Sequence, residues 1–388
     1  MKNTNGMLSK LVVWSVLALS LIALGSSAAV AAGEVKIGFL GALTGNVASY
    51  GIQTLRGMEM AADEINAAGG VLGQKLVIVK EDNRGDKTEI ANVTQKFISR
   101  DRVAAIIGDP TTGGTKVAAA IAQENKVVLL SAGAVGAGVV EIGEFIFRNT
   151  VIDSIAAPAV TKYIIENKKW KRIALVTSIN NDYSVGLSKI FEEAVKENRG
   201  NIVVRENVSD GDTDFSAQVT KLKAAKPDGM IFTGYYTEGA LLMKELRKQG
   251  LNIDMIGGDG LLSPVLSELG GKAVEGSMVY AGFSPERPSP ETKKFLDAYR
   301  TKYHEEADMF VAQGYDAVKI VAAAMSKAKS TDPQVYRKAL AETKDFPGVS
   351  GNTTFLPNRE PLKSPICVLV VRDGKFGLLE RIPVAPKK

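Results

Sequence analysis

The chain has 388 residues, of which 45% are hydrophobic and 23% charged, and its formal net charge is +5. This composition excludes a disordered chain, and the length is enough for two lobes of about 100 to 200 residues each. The charges are interspersed, so no basic stripe indicates a nucleic-acid partner. The single cysteine, Cys367, has no second cysteine with which to form an internal disulfide.

The first 33 residues have the pattern of a secretory signal peptide. Lys2 and Lys10 precede the apolar run LVVWSVLALSLIALG, and small residues follow it up to Ala29-Val30-Ala31. The run has about 15 residues, whereas a membrane span needs about 20. We therefore expect cleavage near Ala31, export to the periplasm and a soluble mature chain, with a retained signal anchor as the alternative.

After the signal, strand and helix patterns alternate. VKIGFL, KLVIVKED, VAAIIG and VVLLSA are typical of buried strands, and helices are predicted over YGIQTLRGMEMAADEINAA, from about 86 to 100, and after Thr115. A second cycle follows FIFRNT, in which the strands RIALVTS, NIVVREN, GMIFTG and DMIGG are separated by helices. This alternation predicts two similar α/β lobes in tandem, each with a parallel sheet covered by helices.

The end of the chain returns from helices to strands. Helical sequence resumes over 290–303 and 311–327, and the chain closes with ICVLVVRD and FGLLERI. These two strands have no helices of their own, so we expect them to complete sheets already begun. The polar segment LPNREPLKSP contains prolines and is interpreted as a connector between the lobes.

The first candidate site is the loop GDPTTGGT, which follows a strand and opens into a helix. It lacks the G-x-x-x-x-G-K-[ST] pattern of a nucleotide-binding loop because Lys116 comes too late. Free amides and hydroxyls at a helix start still surround an anion well, and a carboxylate fits there as well as a phosphate. The alternative is that Thr111, Thr112 and Thr115 only cap the helix.

A second loop, SAGAVGAG, also follows a strand, and it is interpreted as a backbone-lined loop at the edge where α/β proteins bind ligands. Signals for catalysis are weak. The one histidine, His304, lies in the charged run RTKYHEEAD, and GVSGN fails the G-x-S-x-G pattern at its last position. We expect neither an enzyme nor a metal or cofactor site.

Three phrases taken together resemble the periplasmic branched-chain amino-acid binding proteins of ABC transporters: KIGFLGALTGNVASYG, GMEMAADEINAAGGVLGQKL and DFSAQVTKLKAAKPDGMIFTGYYTEGALLMKELRKQGL. The likeness covers nearly all of the chain after the signal. It implies a type I periplasmic binding protein, with two Rossmann-like lobes and parallel sheets joined by a three-crossing hinge. The N-terminal lobe would comprise 34–152 and 282–355, the C-terminal lobe 153–281 and 366–388, and the hinge connector 356–365.

The resemblance also implies how the first lobe holds an amino acid. Thr112 falls where relatives have a serine whose hydroxyl and amide bind the ligand carboxylate. Gly133 falls where backbone groups contact the zwitterion. Tyr50 and Pro110 match positions that form walls of the pocket. The anion-site interpretation of Thr112 is thereby favoured over simple capping.

On the second lobe, the resemblance matches Tyr183, Tyr235 and Asp259 to positions that cover the ligand when the lobes close. Asp259 is expected to face the ammonium group, since a carboxylate pairs well with a cation in a dehydrated cleft. From the residues alone, Tyr235 is equally consistent with an interfacial aromatic and Asp259 with a turn former. The predicted ligand-binding residues are Tyr50, Pro110, Thr111, Thr112, Gly133, Ala134, Val135, Tyr183, Tyr235 and Asp259.

The sequence departs from the family pattern at three places. Val135 stands where relatives have a threonine that also binds the carboxylate, and Asp259 replaces a glutamate. Gly85 and Thr111 occupy the two positions of the small disulfide of the family. These departures bear on the identity of the ligand and leave the predicted architecture unchanged.

The implied function is that of a solute-binding protein that captures leucine, isoleucine or valine by lobe closure and delivers it to a membrane permease. The expected partners are this amino acid and the permease, and the chain is expected to be a monomer. Relatives of this fold also bind amides, urea and aromatic acids, and the same flytrap serves as a sensor. An exported hydrolase is the third class, which would require turnover.

Overall fold

The computed structural model describes residues 33–383, so the predicted signal peptide and its cleavage site lie outside the described residues. The first sheet is fully parallel, in the order β2-β1-β3-β4-β5. Its strands are β1 (Glu34–Gly41), β2 (Lys75–Asp82), β3 (Ala105–Gly108), β4 (Leu129–Ser131) and β5 (Ile146–Arg148). The helices between them are α1 (Ala48–Ala67), α2 (Lys87–Lys96) and α3 (Thr112–Glu124).

The second cycle of strands and helices follows β5. Its strands are β6 (Arg172–Ser178), β7 (Asn201–Val208), β8 (Gly229–Thr233), β9 (Asp254–Gly257) and β10 (Met278–Ala281). Its helices are α4 (Asp153–Glu166), α5 (Asp182–Glu197), α6 (Ser216–Ala225), α7 (Tyr236–Lys248) and α8 (Pro264–Gly270). The central strands of both sheets are continuous apolar runs that are buried on both faces, as expected for parallel sheets covered by helices.

The chain then returns to the first lobe and finally to the second. The returning helices are α9 (Pro290–Tyr303), α10 (Met309–Ala328) and α11 (Pro333–Ala341). The last strands are β11 (Thr354–Phe355), β12 (Pro361–Leu362), β13 (Ile366–Arg372) and β14 (Lys375–Ile382). The second sheet has the order β14-β13-β10-β9-β8-β6-β7, and β13 pairs antiparallel with both β10 and β14. The prediction that the closing strands complete an existing sheet is confirmed.

Helix α11 was not predicted from the sequence, although its start carries a clear signal. Asp332 caps the helix by accepting a hydrogen bond from the Gln334 amide, and Pro333 occupies the first turn. The hydroxyl of Tyr336 donates to the Ala104 carbonyl oxygen at 2.8 Å, which fastens α11 to the first lobe. The polar, proline-containing sequence KSTDPQ is therefore the start of a packed helix.

The chain passes between the two sheets three times, after β5, after β10 and before β13. The exact limits of the lobes stay a prediction. The segment predicted as a connector is partly structured, because β11 and β12 pair as an antiparallel hairpin. This hairpin packs on the first lobe, where the ring centres of Phe355 and Phe147 lie 5.3 Å apart.

Among residues 33–383, no helix has both the length and the apolar character needed to cross a bilayer.

Two glycines allow α1 and α10 to approach closely. A Cβ added at Gly57 would clash with the Val311 carbonyl oxygen, and one at Gly314 would clash with the Thr54 carbonyl oxygen. Backbone atoms cannot move aside as a flexible side chain does, so we expect Gly57→Ala to destabilise the fold by about 1–3 kcal/mol or more. Gly186→Ala is the matched control, because it adds a methyl group to α5 with no neighbour within 4 Å. We expect this control to stabilise by about 0.5–1 kcal/mol.

Urea unfolding of the two glycine variants measures this difference. If Gly57→Ala is as stable to urea as Gly186→Ala, the close approach of the two helices is contradicted.

Candidate functional site

A small cavity of about 10 Å³ lies between the lobes, where the carboxyl ends of both sets of parallel strands face each other. A space of this size holds about one water molecule, so the two lobes enclose the site tightly. The lining residues are Tyr50, Pro110, Thr111, Thr112, Gly133, Val135, Tyr183, Tyr235, Asp259, Gly260 and Phe310. Nine of the ten residues predicted from the sequence therefore line this cavity, and the tenth, Ala134, does not. Gly260 and Phe310 also line the cavity and were not predicted from the sequence.

The three threonines at the start of α3 have different hydrogen-bonding roles. The Thr111 hydroxyl accepts from the Gly114 amide at 3.2 Å and donates to Asp109, so Thr111 is the helix cap. The Thr115 hydroxyl donates to the Asp109 carbonyl oxygen at 2.7 Å. The Thr112 hydroxyl accepts from the Gly136 amide at 3.1 Å, which leaves its proton free to donate into the cavity. The capping interpretation therefore holds for Thr111 and not for Thr112.

The loop after β4 forms the adjacent wall. The Ala134 amide donates to the Ser131 hydroxyl at 3.0 Å, which explains why Ala134 turns away from the cavity. A Cβ at Gly133 would lie 2.8 Å from the Pro110 carbonyl oxygen, so only glycine lets the two loops approach this closely. Val135 contributes an apolar, buried side chain to the wall.

The two loops that a disulfide would join in the family are held here by hydrogen bonds around Asp109. One oxygen of this buried carboxylate accepts from the amide and hydroxyl of Thr111 at 2.7 and 2.8 Å. The other accepts from the Asn83 amide group at 2.7 Å, and Asn83 in turn accepts from the Gly85 amide at 2.9 Å. Burial raises the pKa of Asp109, and the hydrogen bonds from Thr111 and Asn83 act in the opposite direction.

Asp259 lies on the opposite, second-lobe side of the cavity. Its side chain is only 4% exposed, and its Oδ2 atom has no hydrogen-bond partner among the described residues. Burial raises its pKa well above the ordinary range, and the charge of Asp153 raises it further. The Tyr183 hydroxyl lies beside this acid and accepts from the Gly260 amide at 3.2 Å. An unpaired buried carboxylate is costly, so this position favours a cation.

Asp153 is a second buried acid that the sequence analysis missed. Its Oδ1 atom accepts from the Tyr280 hydroxyl at 2.6 Å, while Oδ2 has no partner among the described residues. Burial raises the pKa of Asp153 to about 7, against the lowering effect of the Tyr280 hydrogen bond and the Arg148 charge. At the first position of α4 it resembled an ordinary acidic residue at a helix start, and no local signal set it apart.

Aromatic rings connect the two lobes across the cavity. The Tyr50 hydroxyl donates to the Gly260 carbonyl oxygen at 2.5 Å, and the Tyr50 ring meets the Tyr235 ring edge-on at 5.8 Å. Tyr235 stacks in parallel on Tyr183 with ring centres 5.7 Å apart. These contacts join residues of both lobes, so the two lobes are closed on each other in this structure.

Within residues 33–383, no three His, Cys, Asp or Glu side chains are placed to hold a metal ion.

Comparison with known proteins agrees with this geometry. Residues 34–375 match a family model described as periplasmic binding protein. The chain belongs to this family. A Leu/Ile/Val-binding protein of Rhizobium johnstonii is 31% identical to this periplasmic binding protein over 338 residues, which cover 87% of this chain and 91% of the relative.

Two solved structures are similar along almost their whole length. The leucine-binding protein of Thermotoga maritima superposes with a TM-score of 0.86 at 33% identity, covering 90% of this chain and 99% of that one. A branched-chain amino acid transporter substrate-binding protein of Streptococcus pneumoniae, solved with isoleucine, gives 0.85 at 34% identity, with 91% and 100% covered. The family resemblance and the two-lobed α/β fold predicted from the sequence are confirmed.

Proposed function

We propose that this periplasmic binding protein captures a branched-chain amino acid between its lobes and delivers it to the membrane permease of an ABC importer. The observation that carries the proposal is the unpaired, buried carboxylate of Asp259 opposite the free hydroxyl proton of Thr112 in one cavity. A molecule with an ammonium and a carboxylate on one carbon satisfies both ends. The leucine-binding and isoleucine-bound relatives support the same ligand class.

The negative end of the ligand is assigned to the first lobe. The start of α3 offers free backbone amides and the favourable end of the helix dipole, and Thr112 adds its hydroxyl. Hydrogen bonds to a charged group are worth roughly 1.5–3 kcal/mol each, which is more than the dipole contributes. Gly133 lines the same wall, and its backbone amide is assigned as a further donor to the carboxylate.

The positive end of the ligand is assigned to Asp259, with Asp153 behind it. Burial disfavours the charged forms of both acids, and the Arg148 charge offsets this only in part for Asp153, so the pair favours either protonation or the arrival of a further positive charge. An ammonium group supplies that charge, whereas an aromatic acid or a neutral amide leaves the Asp259 carboxylate uncompensated. This difference favours an amino acid over the other ligands of this fold.

The rest of the cavity wall is suited to an apolar side chain. Tyr50, Pro110, Val135 and Phe310 line the cavity, and the Tyr50 and Phe310 rings lie 4.8 Å apart. No charged side chain stands among these four, so a branched aliphatic group fits without leaving a polar partner unsatisfied. Closure then brings Tyr183 and Tyr235 over the ligand and excludes water.

Ligand binding is tested by a thermal-shift and calorimetric screen of the mature protein against amino acids, small amides, urea and aromatic acids. We expect leucine, isoleucine and valine to stabilise the protein, by about 2.7 kcal/mol at 100 times the dissociation constant. D-leucine is the matched control, since it carries the same groups with the wrong handedness. Stabilisation by benzoate or an amide and not by any branched-chain amino acid would overturn the proposal.

We further propose that the protein is a monomer without catalytic activity and resides in the periplasm. Size-exclusion chromatography with light scattering tests the first point, and incubation with amides and esters tests the second.

A further inference from the structure

A buried arginine lies directly behind the loop assigned to the ligand carboxylate. Arg148, at the end of β5, is 1% exposed and does not line the cavity. Its Nη1 atom donates to the carbonyl oxygens of Ala134 and Gly136 at 3.1 and 2.5 Å. Its Nε atom donates to Glu360 Oε2 at 2.6 Å, and Nη2 forms the second bond of this fork to Oε1. All four contacts are buried.

These contacts determine which backbone groups the loop presents. With the Ala134 and Gly136 carbonyls on Arg148, the remaining carbonyl of Val135 accepts from the Asp153 amide at 3.1 Å. All three carbonyl dipoles are thus satisfied away from the ligand. Among the described residues, the amides of Gly133 and Val135 have no such partner. A loop with bound carbonyls and free amides is what an anion requires.

The same loop also sets the orientation of Thr112. The Gly136 amide donates to the Thr112 hydroxyl oxygen, while the carbonyl of Gly136 is held by Arg148. Since the oxygen is occupied as an acceptor, the hydroxyl proton is left to donate. Glu360 lies in the hairpin of β11 and β12, so the arrangement depends on a residue more than 200 positions away in the chain.

We propose that Arg148, held in place by Glu360, is the positioning residue of the carboxylate-binding loop. It acts through residues 134–136 and does not touch the ligand itself. The inference rests on the proposed function, because it takes an amino-acid carboxylate as the group that the loop receives.

The decisive variant carries two substitutions, Arg148→Met and Glu360→Leu. Removing both partners of a buried ion pair in favour of apolar groups often leaves stability nearly unchanged, so this variant separates positioning from folding. We expect its affinity for L-leucine to fall roughly 10- to 100-fold, the range found when outer-shell partners of metal ligands are replaced. Binding of L-leucinamide, which lacks the carboxylate, is expected to change much less, so the preference for leucine over leucinamide narrows.

A surface ion pair supplies the control. Arg205 and Glu192 form a similar exposed pair on the second lobe, and Arg205→Met with Glu192→Leu is expected to leave leucine binding unchanged. If the buried double variant does not fold, leucine affinity is measured on Arg148→Lys instead. Lysine keeps the positive charge of arginine but lacks its planar, forked set of donors. Wild-type leucine affinity in a folded Arg148 variant would overturn the inference.

A second measurement keeps the inference separate from the proposed function. If the wild-type protein does not bind leucine, the proposed function fails, and hydrogen exchange of the loop amides still tests Arg148. We expect the Ala134 and Gly136 amides, which donate to the Ser131 and Thr112 hydroxyls, to exchange roughly tenfold faster in the buried double variant, since the carbonyl anchors of the loop are lost. Unchanged exchange would overturn the positioning role.

Discussion

Replacing Asp259 with asparagine is expected to weaken leucine binding by about 2–5 kcal/mol, or roughly 30- to 4,000-fold. Asparagine keeps the shape of the side chain, so the loss reports the charge that faces the ligand ammonium. One oxygen of this carboxylate, Oδ2, has no hydrogen-bond partner among the described residues, so it is available to the ligand ammonium. Isothermal titration calorimetry with L-leucine measures the change.

Two controls make the Asp259 result specific. Asp63→Asn removes an equal charge from an exposed position on α1 and is expected to leave the affinity unchanged. The second control is a ligand, 4-methylpentanoate, which is leucine without its amino group. It is expected to bind Asp259→Asn at least as well as the wild type, because no uncompensated carboxylate is buried with it. An equal loss for leucine and 4-methylpentanoate would contradict the ammonium assignment.

The ligand-free protein is expected to lose stability as the pH rises from about 4 to about 7. Burial raises the pKa of Asp153 from its ordinary 3.8 to about 7, so the folded state holds a proton that the unfolded state releases near pH 4. The stabilisation by this proton is complete below pH 3.8 and is lost as the pH rises through about 7. At about 1.36 kcal/mol for each pH unit, the loss is on the order of 4 kcal/mol.

The variant Asp153→Asn isolates this effect. Urea unfolding at several pH values between 4 and 8 is expected to show a weaker pH dependence in Asp153→Asn than in the wild type. Asp308, whose pKa is raised to about 6 by burial, and Asp259, whose pKa burial also raises, contribute a background of the same sign in both proteins. Saturating leucine is expected to flatten the wild-type slope, because its ammonium favours the ionised acids. Identical slopes in the ligand-free wild type and variant would refute the role of Asp153.

The paired acids also predict how affinity depends on pH. The groups that face Asp153 and Asp259 are Tyr183 on α5, Tyr280 on β10 and the Arg148 charge on β5. Burial raises the pKa values of both tyrosines above their ordinary range, so neither ionises near neutral pH. Leucine binding should therefore weaken as the pH falls and the acids become protonated.

Much of the site was predictable because its parts follow local rules. Apolar runs alternating with helical periodicity indicate a parallel sheet, and loops after such strands meet at one edge of it. The loops carrying Thr112, Gly133, Tyr235 and Asp259 each follow a strand, which agrees with their common place at the cavity, although the family resemblance singled out these four residues. Ala134 does not line the cavity, because its amide donates to Ser131 and such hydrogen bonds decide how a loop residue is oriented.

The amino-acid sequence by itself determined the two α/β lobes, the strand-end position of the cavity and most of its lining. Only the tertiary structure decided that the charge of Asp153 acts on Asp259 and that Arg148, paired with Glu360, binds the carbonyls of Ala134 and Gly136. The reason is separation along the sequence, because helix and strand patterns arise from residues only a few positions apart. Glu360, the ion-pair partner of Arg148, and Tyr280 and Asp259, which act on Asp153, lie about 100 to 200 positions away and meet them only when the chain has folded.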